Sequence, residues 1–405
     1  MSQTDAALFA KYQPVFDRIG AGALDREKNR VLPHEQVRWL ADAGFGALRV
    51  PAESGGDGAT LTQLIRLLIA LAAADSAVPQ ALRGHIAFVE DRLYAPASPA
   101  RDVWLARFVA GDIVGNAWTE IAGGAFGPSA TTRVERTDEG WQLTGAKFYT
   151  TGSIFAQWID VTATDGDGRD VTALVSTAAT GVTVSDDWDG FGQRLSGSGA
   201  AQFDNAVVAA DHVFAFSERF PYQTALYQAV LLAVLAGIAV AVERDAAGEV
   251  RGRARVYSHG NSAATRDDPQ VQQAVGQISA RAYAAVATTV SVGAALQRAW
   301  EAHLHAGGDE HAANVAAEIE SAQAQIVVID LVLRTATDLF DVLGASGVRA
   351  GKALDRHWRN ARTVASHNPW LFKARIVGDW AINDTTPPFL WTLDNTPAQK
   401  SGSPG

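Results

Sequence analysis

The stretch FPYQTALYQAVLLAVLAGIAVAV, residues 220–242, holds no charged side chain. A helix that is apolar all round is stable only when buried on every side, either in a bilayer, which takes about 20 residues to span, or inside a protein. The composition favours the second. Gln223, Tyr227 and Gln228 stand in the first third, alanine dominates the rest, and Glu243-Arg244-Asp245 follows with no aromatic belt. We therefore read the stretch as the buried central helix of a bundle and not as a membrane span. Such a helix needs several partner helices, so the rest of the chain must supply them.

The partners follow in order. Apolar periodicity predicts long helices near 222–247, 269–305, 311–343 and 349–367, a four-helix bundle with short connections. A polar, arginine-rich connector, EVRGRARVYSHGNSAATRDD, separates the first two. Residues 1–113 are also helical in pattern, with HEQVRWLADAGF and TLTQLIRLLIALAAAD punctuated by Gly44 and PAESGGDGAT. From Val114 to Phe214 the pattern changes. RVERTDEGWQLTGAKFYTT alternates around an Asp-Glu-Gly turn, WIDVTATDGDGRDVTALVST repeats the arrangement, and short strands follow between glycine-rich turns. That spacing predicts a small antiparallel β-barrel or sandwich. The last segment, 369–405, starts apolar (NPWLFKARIVGDWAI), so it should pack, and its end (TPAQKSGSPG) should be disordered. The expected fold class is α+β, mainly α: a helical domain at 1–113, a β domain at 114–214, a bundle at 215–368 and a tail.

Charge and fingerprints narrow the function. A net charge of −10 argues against nucleic acid as the main partner. With no cysteine, thiolate chemistry and disulfides are excluded and a zinc or other metal site is not expected, in keeping with a cytoplasmic location. The N-terminal MSQTDAALFAKYQP has no basic n-region or apolar h-region, so no signal peptide is expected. No G-x-G-x-x-G between strand and helix, P-loop, G-x-S-x-G or H-E-x-x-H is found, so a nicotinamide site of the usual kind is not expected.

Five local patterns remain: PAESGGDGAT at 51–60, NAWTE at 116–120, LTGAKFYTTG at 143–152, GFGQRLSGSGAAQFDNAVVAADHVF at 190–214 and DRHWRNART at 355–363. Their order and spacing along nearly the whole chain resemble the acyl-CoA dehydrogenase superfamily. That resemblance implies a flavin, and it also exposes departures. Where many dehydrogenases of the family carry a catalytic glutamate, counting from Arg359, this chain has Asn368 after His367, and an amide is no general base. The stretch TEIAGGAFGPSATT lacks the family's proline and Ser-Asp pair that serve an acyl-CoA.

GNAWTE, KFYTTGSIFAQWI, DDWDGFGQRLSGSG and ARTVASHNP are similar to the flavin-dependent monooxygenase branch of the same fold. The resemblance implies a two-component enzyme. Reduced flavin arrives by diffusion from a separate NAD(P)H:flavin reductase, reacts with O2 to a C4a-(hydro)peroxyflavin, and oxygenates a small apolar or heteroatom-containing substrate. FMN is favoured over FAD, and a homotetramer is implied. By the same resemblance His367 hydrogen-bonds or protonates the oxygenated flavin, His85 lines the pocket, Thr151 contacts flavin N5, and Asn116 holds the peroxide or a flavin edge. Trp118, Thr119, Tyr149 and Asn368 fall on the flavin side, with Phe88, Phe155, Trp188 and Trp370 available for an aromatic pocket. Ser196, Ser198, Arg253 and Arg255 are candidates for the flavin phosphates, and Arg194 for structure. Each has a plain structural alternative: His367 as a helix-end cap, His85 as a core histidine, the serines as turn residues and the arginines as a solvated loop. The competing function is a divergent FAD-dependent acyl-CoA dehydrogenase with its base moved to Glu243 or Asp245.

Overall fold

The computed structural model describes residues 4–390 except 121–129, 139 and 306–307. The chain forms two compact units. One is helical (4–112, 189–196 and 220–389) and the other is built on a sheet (113–188 and 197–219).

The helical unit begins with α1 (Asp5–Ala21), α2 (Ala23–Asn29), α3 (His34–Asp42), α4 (Leu61–Ala74), α5 (Ala77–Ala81), α6 (Arg83–Tyr94) and α7 (Pro99–Val109). It resumes with α8 (Gln223–Arg251), α9 (Pro269–Leu304), α10 (Glu310–Leu343), α11 (Asp355–Ala365) and α12 (Lys373–Asn383). The uncharged stretch forms most of α8, and its first two-thirds are buried almost throughout, as a bundle's central helix must be. Each leucine, isoleucine or valine so buried contributes about 1.5–3 kcal/mol. Around α8 pack α9, α10 and α11, and also α4. Gly237 permits the last contact: a Cβ there would lie 2.4 Å from that of Ala72. The N-terminal helices and the bundle thus share one core. A Thr60–Gln63 capping box fixes the start of α4.

Three features depart from the expected layout. The fourth bundle helix is shorter than 349–367, because Ala353 turns left-handed (φ 46°) before α11 begins. The tail forms α12, which packs on α10. Residues 189–196 belong with the helices, since the Gln193 N–H donates to Asn360 Oδ1 (2.7 Å) on α11. The segment expected to be disordered, 396–405, lies outside the described residues.

The sheet unit holds β1 (Val114–Ala117), β2 (Arg133–Thr137), β3 (Gly140–Lys147), β4 (Trp158–Asp165), β5 (Asp170–Ser176), β6 (Val182–Val184), β7 (Ala201–Val208) and β8 (Val213–Ala215). Their order is β6-β7-β3-β2-β4-β5-β8, with β1 on β4. The hairpin expected around Asp138 is present, pairing Thr137 with Gly140. The sheet is mixed and not purely antiparallel: β1–β4 and β2–β4 are parallel. Side-chain alternation has the same period in both arrangements, so sequence does not separate them. Val134, Leu143, Ile159, Val161 and Phe203 form the core of this unit.

Candidate active site

In the sheet unit, β1 carries Asn116, which is 6% exposed. Its Oδ1 is sealed from solvent and accepts no hydrogen bond from the described residues, while its backbone carbonyl accepts from Ser153 Oγ (3.3 Å). A buried carboxamide oxygen without a donor is the kind of group a ligand N–H or O–H satisfies. Two residues before Ser153 stands Thr151, whose Oγ1 lies 2.8 Å from Ser198 Oγ. The backbone makes this pairing: the Thr150 N–H donates to the Gly199 carbonyl (3.0 Å) and the Gly152 N–H to that of Gly197 (3.2 Å). Thr151 and Ser198, separated by 47 positions, are therefore brought together with their hydroxyls fixed.

Tyr149 is half-exposed at φ 57° and packs edge-on to Trp188. A left-handed tyrosine is uncommon. Trp118 is committed differently. Its indole N–H donates to the buried Asp160 (3.2 Å), Arg219 lies 4.9 Å over its ring, and Phe216 meets it edge-on. Thr119 contributes backbone, its carbonyl accepting from the Phe148 N–H (2.8 Å). Beneath them Lys147 and Glu120 form a buried ion pair at 2.9 Å. Burial pushes the Glu120 carboxyl up, but Lys147 and the Thr131 and Thr132 donors outweigh it and hold the pKa at about 2.

In the helical unit, His367 follows the end of α11. Arg83 Nη2 donates to its Nε2 (2.9 Å), and the Asn368 side chain hydrogen-bonds the ring as well. An arginine can only donate, so the neutral imidazole carries its proton on Nδ1. His367 is exposed as a residue, although protein packs around its imidazole. Desolvation, and then the Arg83 charge, lower its pKa to about 3. The ring's partners are Arg83 and Asn368, and the helix is closed by the Ser366 backbone N–H, so its end does not depend on the His367 side chain.

The structure corrects other expectations. His85 is a core histidine and not a pocket one: its Nε2 bonds the Gly46 carbonyl (2.8 Å), Phe108 packs edge-on, and burial lowers its pKa to about 4. Phe88 is likewise core, between Trp104 and Phe108. Ser196 is fully buried, its hydroxyl donating to the Gln193 carbonyl (2.8 Å), so it offers nothing to a phosphate. Arg253 and Arg255 line a cleft of about 710 Å³ together with Arg349, Lys352 and Tyr257, a set that includes neither His367 nor Asn368. Asp245 is fixed between Arg356 (2.6 Å) and His357 (2.8 Å) and stays ionised well below the usual carboxylate range. Sequence reasoning missed Arg83. Its signal was a lone arginine in the apolar run AVPQALRGHIAFV.

Comparison with known proteins identifies the family and the fold. The acyl-CoA dehydrogenase N-terminal domain matches residues 15–112 and the acyl-CoA dehydrogenase C-terminal domain matches 229–370, together more than half of the chain. A probable FMNH2-dependent monooxygenase, SfnC of Pseudomonas putida, is 25% identical over 90% of this chain and 92% of its own. A dibenzothiophene monooxygenase of Rhodococcus qingshengii is 26% identical over 91% of each. The fold matches that of FMN-bound TdsC from Paenibacillus sp. A11-2 with a TM-score of 0.85, at 24% identity over 94% of this chain and 98% of that one. The chain belongs to the acyl-CoA dehydrogenase superfamily. Within that superfamily it stands in the flavin-dependent monooxygenase branch.

Proposed function

We propose that the chain is the oxygenase component of a two-component system, taking reduced FMN from a separate NAD(P)H:flavin reductase and oxygenating a small apolar or heteroatom-containing substrate. Relatives covering 90–91% of its length are named monooxygenases, one of them a probable FMNH2-dependent one, and a protein of the same fold has been crystallised with FMN. Reduced FMN supplies the two electrons that split O2, one oxygen entering the substrate and the other leaving as water, so the flavin ends oxidised.

The observation that carries this reading is Asn116 Oδ1, buried without a donor and linked through Ser153 to the Thr151–Ser198 pair. These groups fit a reduced flavin ring, which presents N–H donors and carbonyl acceptors: Asn116 accepts, and the paired hydroxyls meet the polar edge. Tyr149 and Trp188 offer aromatic surface in the same unit. His367 is held neutral with its proton on Nδ1, so at neutral pH it positions and hydrogen-bonds but does not deliver a proton. The basic cleft of Arg253 and Arg255 is the candidate for phosphate. The dehydrogenase alternative is weakened, because Asn368 cannot abstract a proton and Asp245, one of its two relocated bases, is locked in ion pairs; the named monooxygenase relatives weigh against it with Glu243 as well. By family analogy the protein works as a homotetramer in the cytoplasm, beside its reductase, and the exposed Tyr283, Leu371 and Ile382 suit subunit packing.

The test is to mix the protein with reduced FMN, without substrate, rapidly into oxygenated buffer and follow absorbance. A transient distinct from both reduced and oxidised flavin, outlasting free FMN, is expected. Reoxidation at the free-flavin rate, with FAD as well as FMN, sinks the proposal.

A further inference from the structure

Arg83 is 6% exposed, and among the described residues no carboxylate pairs with it. Its surroundings are neutral: Nη2 donates to His367 Nε2 (2.9 Å), the guanidinium lies 4.9 Å over the Tyr227 ring, and Nε is sealed from solvent with no acceptor. Every other buried arginine or lysine among the described residues has an acidic partner. Arg26 has Asp75 (2.8 Å), Arg49 has Glu90 (3.0 Å), Arg92 has Asp91 (2.5 Å), Lys147 has Glu120 (2.9 Å) and Arg219 has Asp160 (3.0 Å). Lys373 has Glu318. The carbonyl end of α11 lies close by through His367, but no carbonyl there accepts from Arg83. A guanidinium cannot shed its proton, so burial without an anion leaves an uncompensated charge. The adjoining His367 is exposed as a residue, so Arg83 lies near the surface of the unit.

We propose that Arg83, steered by the His367 hydrogen bond, binds an anionic group on the substrate, a carboxylate or a sulfur oxyanion. A single guanidinium matches a monoanion in charge and in planar geometry. The flavin phosphate has its own candidate in the cleft of Arg253, Arg255, Arg349 and Lys352, with which Arg83 shares no lining residue. The word "substrate" rests on the monooxygenase reading above; the anion site itself does not.

The experiment is calorimetric titration of the full chain with acetate, benzoate and benzenesulfinate, and with acetamide and benzamide as neutral counterparts, for wild type, Arg83→Gln and Arg83→Lys. Wild type is expected to prefer anions of at least one size, and Arg83→Gln to bind them about tenfold to a hundredfold more weakly with neutral binding unchanged. Arg83→Lys should retain part of the preference. Thermal melting is the second readout. Removing an uncompensated buried charge should leave Tm unchanged or raised, whereas a structural arginine would lower it. Absence of anion preference at every size, equal binding by Arg83→Gln, or a lowered Tm overturns the proposal. An anaerobic titration with reduced FMN separates the remaining source: flavin affinity lost while anion binding is kept would assign Arg83 to the flavin and refute a substrate site. Failure of the oxygen-mixing test with anion binding intact would instead refute the monooxygenase reading alone.

Discussion

In the row Arg83, His367, Asn368 the imidazole proton has an assigned place, while Arg83 Nε has no acceptor among the described residues. Arg83 donates to Nε2, and Nδ1–H is left for the Asn368 oxygen. His367→Ala removes the only hydrogen-bond acceptor of Arg83 among the described residues, so the variant should lose about 1–3 kcal/mol of stability, as an orphaned buried donor does. His367→Gln carries an acceptor of similar reach and should recover most of that loss; equal denaturation midpoints for the two variants would refute the assigned bond. Because the ring is already neutral, substrate oxygenation should show no His367-dependent break near the ordinary imidazole pKa of about 6.5. A break present in wild type and absent in His367→Gln would restore the proton-transfer role. Asn116 calls for the opposite experiment. Its Oδ1 is unsatisfied in the folded chain, so Asn116→Leu should be neutral or stabilising in a melt yet weaken reduced-FMN binding about tenfold. A destabilised variant with unchanged flavin affinity would make Asn116 a structural residue.

At the scale of elements, the segment 148–152 and the turn 197–199 hold one another through backbone bonds. Gly199 is the pivot: a Cβ there would fall 2.0 Å from the Ser185 carbonyl, so Gly199→Ala must displace the turn and carry Ser198 away from Thr151. We expect a loss of about 1–3 kcal/mol from overpacking, together with weaker flavin binding. Unchanged stability and flavin affinity would mean that the turn relaxes freely. Neither partner of this pairing announces it in the sequence. Thr151 was legible as a candidate because it sits in a recognisable strand-end motif, and Ser198 because it lies among glycines. What joins them is sheet topology, which alternation does not encode. The helices were legible because α8 carries a long uncharged run and a 3.6-residue period survives in α9 and α10 over many turns. α12 was missed because its apolar positions follow a proline in a segment with no long repeat. His85 and Ser196 were misplaced for a related reason: a polar side chain reads the same whether it meets a ligand or a nearby carbonyl, and only the fold supplied Gly46 and Gln193.

At the scale of the whole molecule, stability depends on keeping several histidines uncharged. His85 and His357 are both buried, and in each case burial is the main cause of a pKa lowered to about 4. For His357 the Asp245 carboxylate opposes that shift without overcoming it. In the unfolded chain both would titrate near the ordinary value, so between about pH 6.5 and 4 the unfolded state holds protons that the folded state refuses. Stability from this source is fully present above the unfolded pKa and is lost as pH falls toward the folded one. Each buried ring accounts for up to roughly 3 kcal/mol over that interval. His367 adds a loss of the same sign, reduced by its contact with solvent. Carboxylates held in ion pairs, Glu120 and Asp245 among them, stay ionised in the folded chain and add their own loss only below about pH 5, as the unfolded carboxyls begin to protonate. The chain should therefore melt at a near-constant temperature from pH 8 to about 6.5 and at progressively lower temperatures below it, before ordinary carboxylate protonation sets in. Replacing His85 by Gln, which keeps a donor for the Gly46 carbonyl but binds no proton, should make the acid limb less steep while leaving the neutral plateau in place. A melting temperature that stays flat from pH 7 to 5 in wild type would mean that these rings titrate in the fold as they do in water, and the core assignment of His85 would go with it.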